Sequence, residues 1–221
     1  MGNVILIYGK SGSGKTRSLK NFGPEEIFLV NVTGKRPPFR KKFAYELVSN
    51  DVDKIKTALT RMGTKGIKTA VIDDAGYIMS DMFMKGHATP KKGSNSFDLY
   101  NDIADAFWGM IQFIRFELPE DINVYVMMHE DTDDFGQAKL RTIGKLLDQK
   151  CCIEGLATIV LRCMTEGTEH FFRVTTDGSD ITKSPEDMFE AQNGRIENDL
   201  KAVDEMIRKY YQEDGELNGK I

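Results

Sequence analysis

The feature that most constrains this chain is the segment GKSGSGKT at residues 9–16. It matches the pattern G-x-x-x-x-G-K-[ST], and it lies between an apolar run at residues 4–8 and a segment at residues 15–22 that can form a helix. A strand, a glycine-rich loop and a helix in that order are the context in which such a segment binds phosphate. The sequence therefore predicts a phosphate-binding loop, or P-loop.

The residue types of this loop suit a nucleoside triphosphate. Gly9, Gly12 and Gly14 let the backbone curl so that successive N–H groups point at phosphate oxygens, and the helix that follows adds the positive end of its dipole. Lys15 would reach the β- and γ-phosphates, and the Thr16 hydroxyl would ligate Mg²⁺. The residues predicted to bind ATP with Mg²⁺ are Gly9, Ser11, Gly12, Ser13, Gly14, Lys15, Thr16 and Arg17.

Two carboxylates, Asp73 and Asp74, end the apolar run at residues 70–74. An acid at the end of a buried strand behind a P-loop typically holds Mg²⁺, and the next acid can polarise the attacking water. We therefore predict Asp73 as a metal-associated residue and Asp74 as a candidate general base. The alternative for Asp74 is that it caps the N-terminus of the following helix.

A third polar position follows the apolar strand predicted at residues 124–128, which ends in His129 and Glu130. Ligands of open α/β sheets bind at the carboxyl ends of the strands. His129 is therefore a candidate sensor of the γ-phosphate, although a surface histidine leaving a strand would have the same pattern.

The order of the predicted elements favours one class of P-loop fold. A further strand at residues 27–30 and a helix at 51–61 separate the P-loop from Asp73, which indicates that the strand of Asp73 is not the next strand in sequence. This arrangement suits ATPases with an extra central strand, such as the RecA-like and AAA groups. Residues 130–138 are acidic, whereas a nucleotide kinase needs a basic lid. The chain then continues into a predicted β-hairpin at residues 158–164 and 170–175, where AAA proteins have a helical lid.

We therefore expect an α/β fold of the RecA-like P-loop NTPase class, with a mostly parallel central sheet flanked by helices and a C-terminal β-hairpin and helix. A long helix is predicted at residues 97–118 and a last one at 195–212. The expected organisation is a single domain at residues 1–212, followed by a disordered tail at 213–221.

Composition limits the other possibilities. The net charge is −4, which does not indicate a protein coated with nucleic acid, but 30 Lys and Arg residues leave room for local basic patches. The three cysteines form no C-x-x-C pair, so a disulfide framework or zinc site is not expected. The first apolar run is too short for a signal peptide and no stretch could span a bilayer. We expect a cytoplasmic protein with no membrane partner.

Two basic loops, at residues 31–43 and 86–96, are candidates for binding single-stranded DNA. The first also contains phenylalanines, and loops that combine aromatic and basic residues can stack bases and hold phosphates. A solvated charged loop is the alternative for both. The candidate nucleic-acid-binding residues are Arg36, Arg40, Lys41, Lys91 and Lys92.

The sequence also resembles a known family over residues 4–200. The segments that carry the resemblance are GKSGSGKTRSL, NVTGKRPPF, AVIDD, MMHED, RTIGKLLDQK and TTDGSDITKSPEDMF. It is similar to small phage-encoded ATP-binding proteins with a RecA-like "AAA" domain, which are related to Sak-type recombination ATPases. The His-Glu pair and the segments at residues 143–145 and 183–185 are the features more particular to this group.

This resemblance implies ATP hydrolysis coupled to single-stranded DNA binding or annealing, by a homo-oligomer acting with phage replication or recombination proteins in the cytoplasm of the infected host. It also implies that Lys15, Thr16 and Asp73 bind the nucleotide and metal and that His129 is the sensor. By the same resemblance, Lys145 could reach a neighbouring subunit's nucleotide. Arg141 and Arg162 are further candidates for that role.

The chain departs from the broader group in one respect. Relatives often have an acid after the second strand, where this chain has Asn31, Val32 and Thr33. If that acid is the catalytic base there, Asp74 or Glu130 must replace it here. The alternative function is a nucleotide-switched loader or assembly protein with weak hydrolysis that docks a replication partner.

Overall fold

The computed structural model describes residues 1–89, 96–144 and 152–218. Across those residues, nine strands form a connected sheet flanked by four α-helices. The strands are β1 (Asn3–Gly9), β2 (Phe28–Asn31), β3 (Tyr45–Val48), β4 (Thr69–Asp73), β5 (Asn123–Thr132), β6 (Ala138–Leu140), β7 (Ile159–Glu166), β8 (Glu169–Arg173) and β9 (Arg195–Glu197). The helices are α1 (Val52–Met62), α2 (Gly76–Ala88), α3 (Ser96–Glu117) and α4 (Leu200–Asn218), with 3₁₀ helices at Thr16–Asn21, Gly63–Lys65 and Glu154–Leu156.

The sheet has the order β3-β2-β4-β5-β1-β7-β8-β9, with β6 paired to the far end of β5. The strands from β3 to β7 in this order run parallel, whereas β8, β9 and β6 pair antiparallel with their neighbours. Tyr125 of β5 is opposite both Ile5 of β1 and Val71 of β4, so β5 separates the P-loop strand from the strand of Asp73. The predicted RecA-like α/β fold, including its C-terminal hairpin and helix, is confirmed.

Apolar side chains fill both faces of this sheet. Helices α1, α2 and α3 cover one face, and the 3₁₀ helix after the P-loop covers the other together with α4. Helix α1 shows how the sequence sets a boundary, because the Asp51 carboxylate accepts hydrogen bonds from the first-turn N–H groups of Asp53 (3.0 Å) and Lys54 (3.1 Å). Among the described helices, none is long and apolar enough to cross a membrane.

Two elements differ from the sequence prediction. The segment after the P-loop is a short 3₁₀ helix rather than a helix from residue 15 to 22, and the Ser18 hydroxyl donates to the Lys15 carbonyl oxygen there (2.6 Å). The last helix begins at Leu200 instead of residue 195, because residues 195–197 pair with β8 and the Asp199 carboxylate caps the N–H of Lys201 (3.0 Å).

Two further differences are a strand that the sequence did not predict and a last helix that is longer than expected. Strand β3, Tyr45–Val48, was not predicted; it forms the edge of the sheet beside β2. Helix α4 continues to Asn218, within the segment 213–221 for which the sequence predicts disorder.

Candidate active site

The P-loop leaves β1 at Gly9 and crosses the carboxyl edge of the sheet. Gly12 (φ 81°) and Gly14 (φ 107°) have left-handed backbone conformations that residues with a side chain rarely adopt. A side chain at Gly9 would clash with the Cys163 carbonyl oxygen of β7. The glycines are therefore required both by the curl of the loop and by its close contact with the neighbouring strand.

Lys15 is the buried cation of this loop, with only 6% of its surface exposed. Its Nζ donates to the carbonyl oxygens of Gly9 (2.8 Å) and Lys10 (3.0 Å), and burial lowers the pKa of Lys15. An ammonium has three protons to donate, so a third remains for an anionic ligand. The side chain is thus held across the loop, where a phosphate would be bound.

Thr16 and Asp73 meet in front of the loop. The Thr16 hydroxyl donates to Asp73 Oδ2 at 2.8 Å, whereas within the described part of the chain the buried Asp73 Oδ1 has no hydrogen-bond partner. Burial, and then the charge of Asp74, raises the pKa of Asp73 to about 6. A hydroxyl beside an unpartnered buried carboxylate oxygen is a donor set that suits Mg²⁺ bound with water and phosphate oxygens. These two residues fit the metal that the sequence predicts.

Asp74 turns toward the same cleft with a left-handed backbone (φ 60°). Its Oδ1 lies 3.3 Å from His129 Nε2 and its Oδ2 lies 3.3 Å from Lys35 Nζ, and these contacts, with His129 first, lower the pKa of Asp74. The ring of Tyr77 lies beside His129, with 5.8 Å between ring centroids. Asp74 does not cap helix α2, whose N-cap residue is Ala75. The structure therefore brings Asp73, Asp74 and His129 together, as the sequence predicts.

These residues line a cleft of about 370 Å³ at the carboxyl edge of the sheet. Its lining residues are Ser11, Gly12, Gly14, Lys15, Thr16, Arg17, Thr33, Lys35, Arg36, Pro38, Asp73, Asp74, His129 and His170. Within this cleft, positive side chains and loop amides surround a pair of carboxylates, as a polyphosphate with a divalent cation requires.

His170 and Asn198 are part of the site that sequence reasoning missed. His170 Nδ1 lies 2.8 Å from the Ser13 carbonyl oxygen, and the Asn198 side chain accepts from Arg17 Nη1 (3.3 Å). A side chain at Gly14 would come within 2.8 Å of His170 Nδ1. The hairpin and the start of α4 therefore hold the P-loop from one side. The sequence offers one weak indication of His170, which is that the chain has only three histidines, and it offers none of Asn198.

Glu130 lies outside this cleft. Its two carboxylate oxygens accept from Nε and Nη2 of Arg162 (both 2.9 Å), and Arg162 Nη1 also contacts Asp180 (3.3 Å). Glu130 and Arg162 line a separate pocket of about 350 Å³ on the other side of the P-loop. Of the two acids predicted as alternative bases, Asp74 is the one that faces the nucleotide cleft.

The predicted DNA-binding residues of the first basic loop have three different environments. Arg36 lines the nucleotide cleft and Arg40 is exposed, but Lys41 Nζ donates to the carbonyl oxygens of Lys20 and Phe22 at the end of the 3₁₀ helix. Lys91, Lys92 and Lys145 lie outside the described residues. Arg141 is exposed, and its backbone N–H donates to the His129 carbonyl oxygen (2.8 Å).

The phenylalanines of that loop face inward. Phe43 is buried and packs edge-on against the partly buried Phe39, with 6.2 Å between ring centroids. In this conformation the two rings contribute to the core of the domain.

The parallel sheet with β5 between β1 and β4, together with this cleft, defines a P-loop nucleotide-binding protein of the RecA-like class. A family model described as "AAA domain" matches residues 1–194. The chain belongs to this family, and hence to the AAA-type P-loop ATPases. A comparison with the curated proteins found no match.

Proposed function

We propose that this protein is a Mg²⁺-dependent ATPase that hydrolyses ATP to ADP and phosphate. The observation that carries the proposal is the 2.8 Å contact of the Thr16 hydroxyl with Asp73, in the same cleft as the buried ammonium of Lys15. When bound, Mg²⁺ would supply positive charge to the phosphate oxygens. Thr16 and Asp73 would hold it.

In this proposal the remaining residues of the cleft bind the triphosphate and activate water. The P-loop amides and Lys15 bind the phosphates. Asp74, whose pKa is lowered by His129 and then Lys35, stays ionised near neutral pH and accepts the proton of a water that attacks the γ-phosphorus. His129, beside Asp74, orients that water or senses the γ-phosphate.

We further propose that the ATPase acts on single-stranded DNA in phage recombination or replication, as a homo-oligomer in the cytoplasm of the infected host. The support for DNA is the resemblance of the sequence and the exposed cation Arg40. Arg141, exposed beside the β5–β6 hairpin, could reach a neighbouring subunit's nucleotide in such an oligomer.

A nucleotide-switched loader or assembly protein is the second candidate function. The inward packing of Phe39 and Phe43, and the contact of Lys41 with the 3₁₀ helix, favour it because they leave the first basic loop fewer groups to stack bases or bind phosphates. Such a protein would bind ATP tightly, hydrolyse it slowly and dock a replication protein.

Steady-state ATPase activity measured with and without single-stranded DNA separates these candidates. The assay is run at low and moderate salt with Lys15→Ala as the blank, because phosphate contacts to DNA weaken with salt. Stimulation by DNA that falls with salt supports the DNA-dependent ATPase. ATP binding without stimulation supports the loader, and turnover equal to that of Lys15→Ala refutes ATP hydrolysis at this site.

A further inference from the structure

The loop between β2 and β3, residues 32–44, is fixed at both ends and passes the nucleotide cleft between them. At its start the Val32 N–H donates to the Asp73 carbonyl oxygen (3.3 Å), and the Asn31 side chain donates to the Lys35 carbonyl oxygen (2.9 Å). Toward its end Lys41 binds the 3₁₀ helix and Phe43 enters the core. Its middle residues therefore have a defined position at the cleft.

Lys35 is the residue of this loop that reaches the carboxylates. Its Nζ lies 3.3 Å from Asp74 Oδ2 and 5.1 Å from the centroid of the Tyr77 ring. The Lys35 side chain is 65% exposed, whereas that of Asp74 is 14% exposed. Two attractive contacts thus place the ammonium at the mouth of the cleft, while most of the side chain is in contact with solvent.

We propose that Lys35 binds the γ-phosphate of the nucleotide, as a second phosphate-binding lysine supplied by the same subunit. This inference rests on the proposed function, because it assumes that the triphosphate lies on the P-loop beside Asp73. Lys35 and Lys15 line the same cleft, so a γ-phosphate there would be approached by one ammonium from the P-loop and another from the loop that follows β2.

The exchange of partners is favourable for Lys35. The ion pair with Asp74 contributes little free energy because the Lys35 side chain is largely exposed to water, whereas a γ-phosphate offers a higher negative charge and three acceptor oxygens. When Lys35 turns to the phosphate, Asp74 loses its ammonium partner, and the oxygen that faced Lys35 can accept from water. ADP lacks the γ-phosphate, so Lys35 would keep its contact with Asp74 in that complex.

Lys35 therefore sets the preference for a triphosphate over a diphosphate. A hydrogen bond to a charged group corresponds to an affinity change on the order of 10- to 100-fold. We expect Lys35→Gln to weaken binding of a non-hydrolysable ATP analogue with Mg²⁺ by that factor and to change ADP affinity by less than about twofold.

The experiment is a calorimetric titration of the wild-type chain, Lys35→Gln, Lys35→Arg and Lys42→Gln with each of these two nucleotides. Lys42 is the matched control, an exposed cation of the same loop that does not line the cleft. We expect Lys35→Arg to recover part of the lost affinity and Lys42→Gln to match the wild type. Thermal unfolding without nucleotide should differ little between variants, because the lost ammonium is largely exposed and Asp74 keeps its contact with His129.

An equal loss for both nucleotides, or no loss for either, would overturn the role of Lys35 while leaving ATP binding at the P-loop intact. If the wild-type chain bound neither nucleotide, the proposed function itself would fail. The same titration thus separates the two failures.

Discussion

The Thr16 hydroxyl donates a hydrogen bond of 2.8 Å to the Asp73 carboxylate, although Thr16 follows β1 and Asp73 ends β4, two strands that are not neighbours in the sheet. Strand β5 lies between β1 and β4, so the P-loop must cross the end of β5 to bring Thr16 to Asp73. This contact places a buried carboxylate where a nucleotide-bound cation would lie. Burial of the charged carboxylate has a cost in stability that can be measured.

Asp73→Asn should stabilise the protein in the absence of nucleotide. Burial raises the pKa of Asp73 to about 6, above the ordinary value for aspartate, so the native state binds a proton more tightly than the unfolded state. The contribution of Asp73 to the free energy of unfolding therefore falls as pH rises from about 4 to about 6, and it stays low at higher pH. At pH 8 we expect Asp73→Asn to raise the free energy of unfolding by about 1–3 kcal/mol.

Denaturant unfolding at pH 4 and pH 8 checks this expectation. The gain of Asp73→Asn over the wild type should be present at pH 8 and should shrink toward pH 4, where the wild-type carboxyl is protonated. A gain that did not change with pH would mean that the charge of Asp73 is not its cause. The variant should also lose the effect of Mg²⁺ on ATP binding.

Gly14→Ala should destabilise the protein and abolish nucleotide binding. The backbone of Gly14 is left-handed (φ 107°), and a Cβ there would lie 2.8 Å from His170 Nδ1 and 3.0 Å from Asn198 Oδ1. We expect a loss of about 1–3 kcal/mol, measured by chemical denaturation. Gly63→Ala is the control, because Gly63 has φ −58° and a Cβ there would meet no other atom within 4 Å. It should be neutral or stabilising by about 0.5 kcal/mol, and equal effects at both sites would contradict this account.

Arg162→Met should lower the free energy of unfolding. We do not expect Arg162 to contribute to hydrolysis in a neighbouring subunit. It removes the bidentate partner of Glu130, whose side chain is only 4% exposed, and we expect it to cost about 3–5 kcal/mol. Arg195→Met removes an exposed ion pair with Glu166 and should cost less than about 1 kcal/mol. Denaturant unfolding and ATPase activity are measured on both variants. Unchanged stability with lost hydrolysis in Arg162→Met would instead assign it a role at a partner's nucleotide.

Asp74→Asn and Glu130→Gln distinguish the two acids predicted as alternative bases. Asp74 lines the nucleotide cleft, whereas Glu130 is engaged by Arg162 on the other side of the P-loop. We expect Asp74→Asn to lower single-turnover hydrolysis by about 100-fold or more while ATP binding persists. Glu130→Gln should retain hydrolysis in the molecules that remain folded. The opposite pattern would make Glu130 the base.

The strongest local patterns were enough to predict the core of this site. The glycine pattern of residues 9–16 fixes a loop conformation through φ angles that only glycine adopts easily, and apolar runs that end in Asp73 and His129 mark strand ends at one edge of a parallel sheet. These are properties of short segments. They predicted the fold class and assigned Thr16, Asp73 and His129 to one site, whereas the order of β1, β5 and β4 came from the structure.

The contacts that the sequence did not predict depend on which way a side chain points. Lys35 and Lys41 belong to one basic loop, yet one contacts Asp74 and the other caps the 3₁₀ helix. His170 reaches the Ser13 carbonyl oxygen across 157 positions of sequence. Charge and composition are the same for either orientation, so such roles require the packing of the whole chain.

The central claim is that Thr16 and Asp73 hold the Mg²⁺ of the bound nucleotide. Its most direct test is a calorimetric titration of the wild-type chain and Thr16→Val with ATP, with and without Mg²⁺. Valine keeps the shape of threonine but has no hydroxyl to contact Asp73 or a metal. The account predicts that Mg²⁺ strengthens ATP binding by the wild type by about tenfold or more and has little effect on the variant. Equal strengthening in both proteins would contradict the assignment of Thr16 and Asp73 as the metal site.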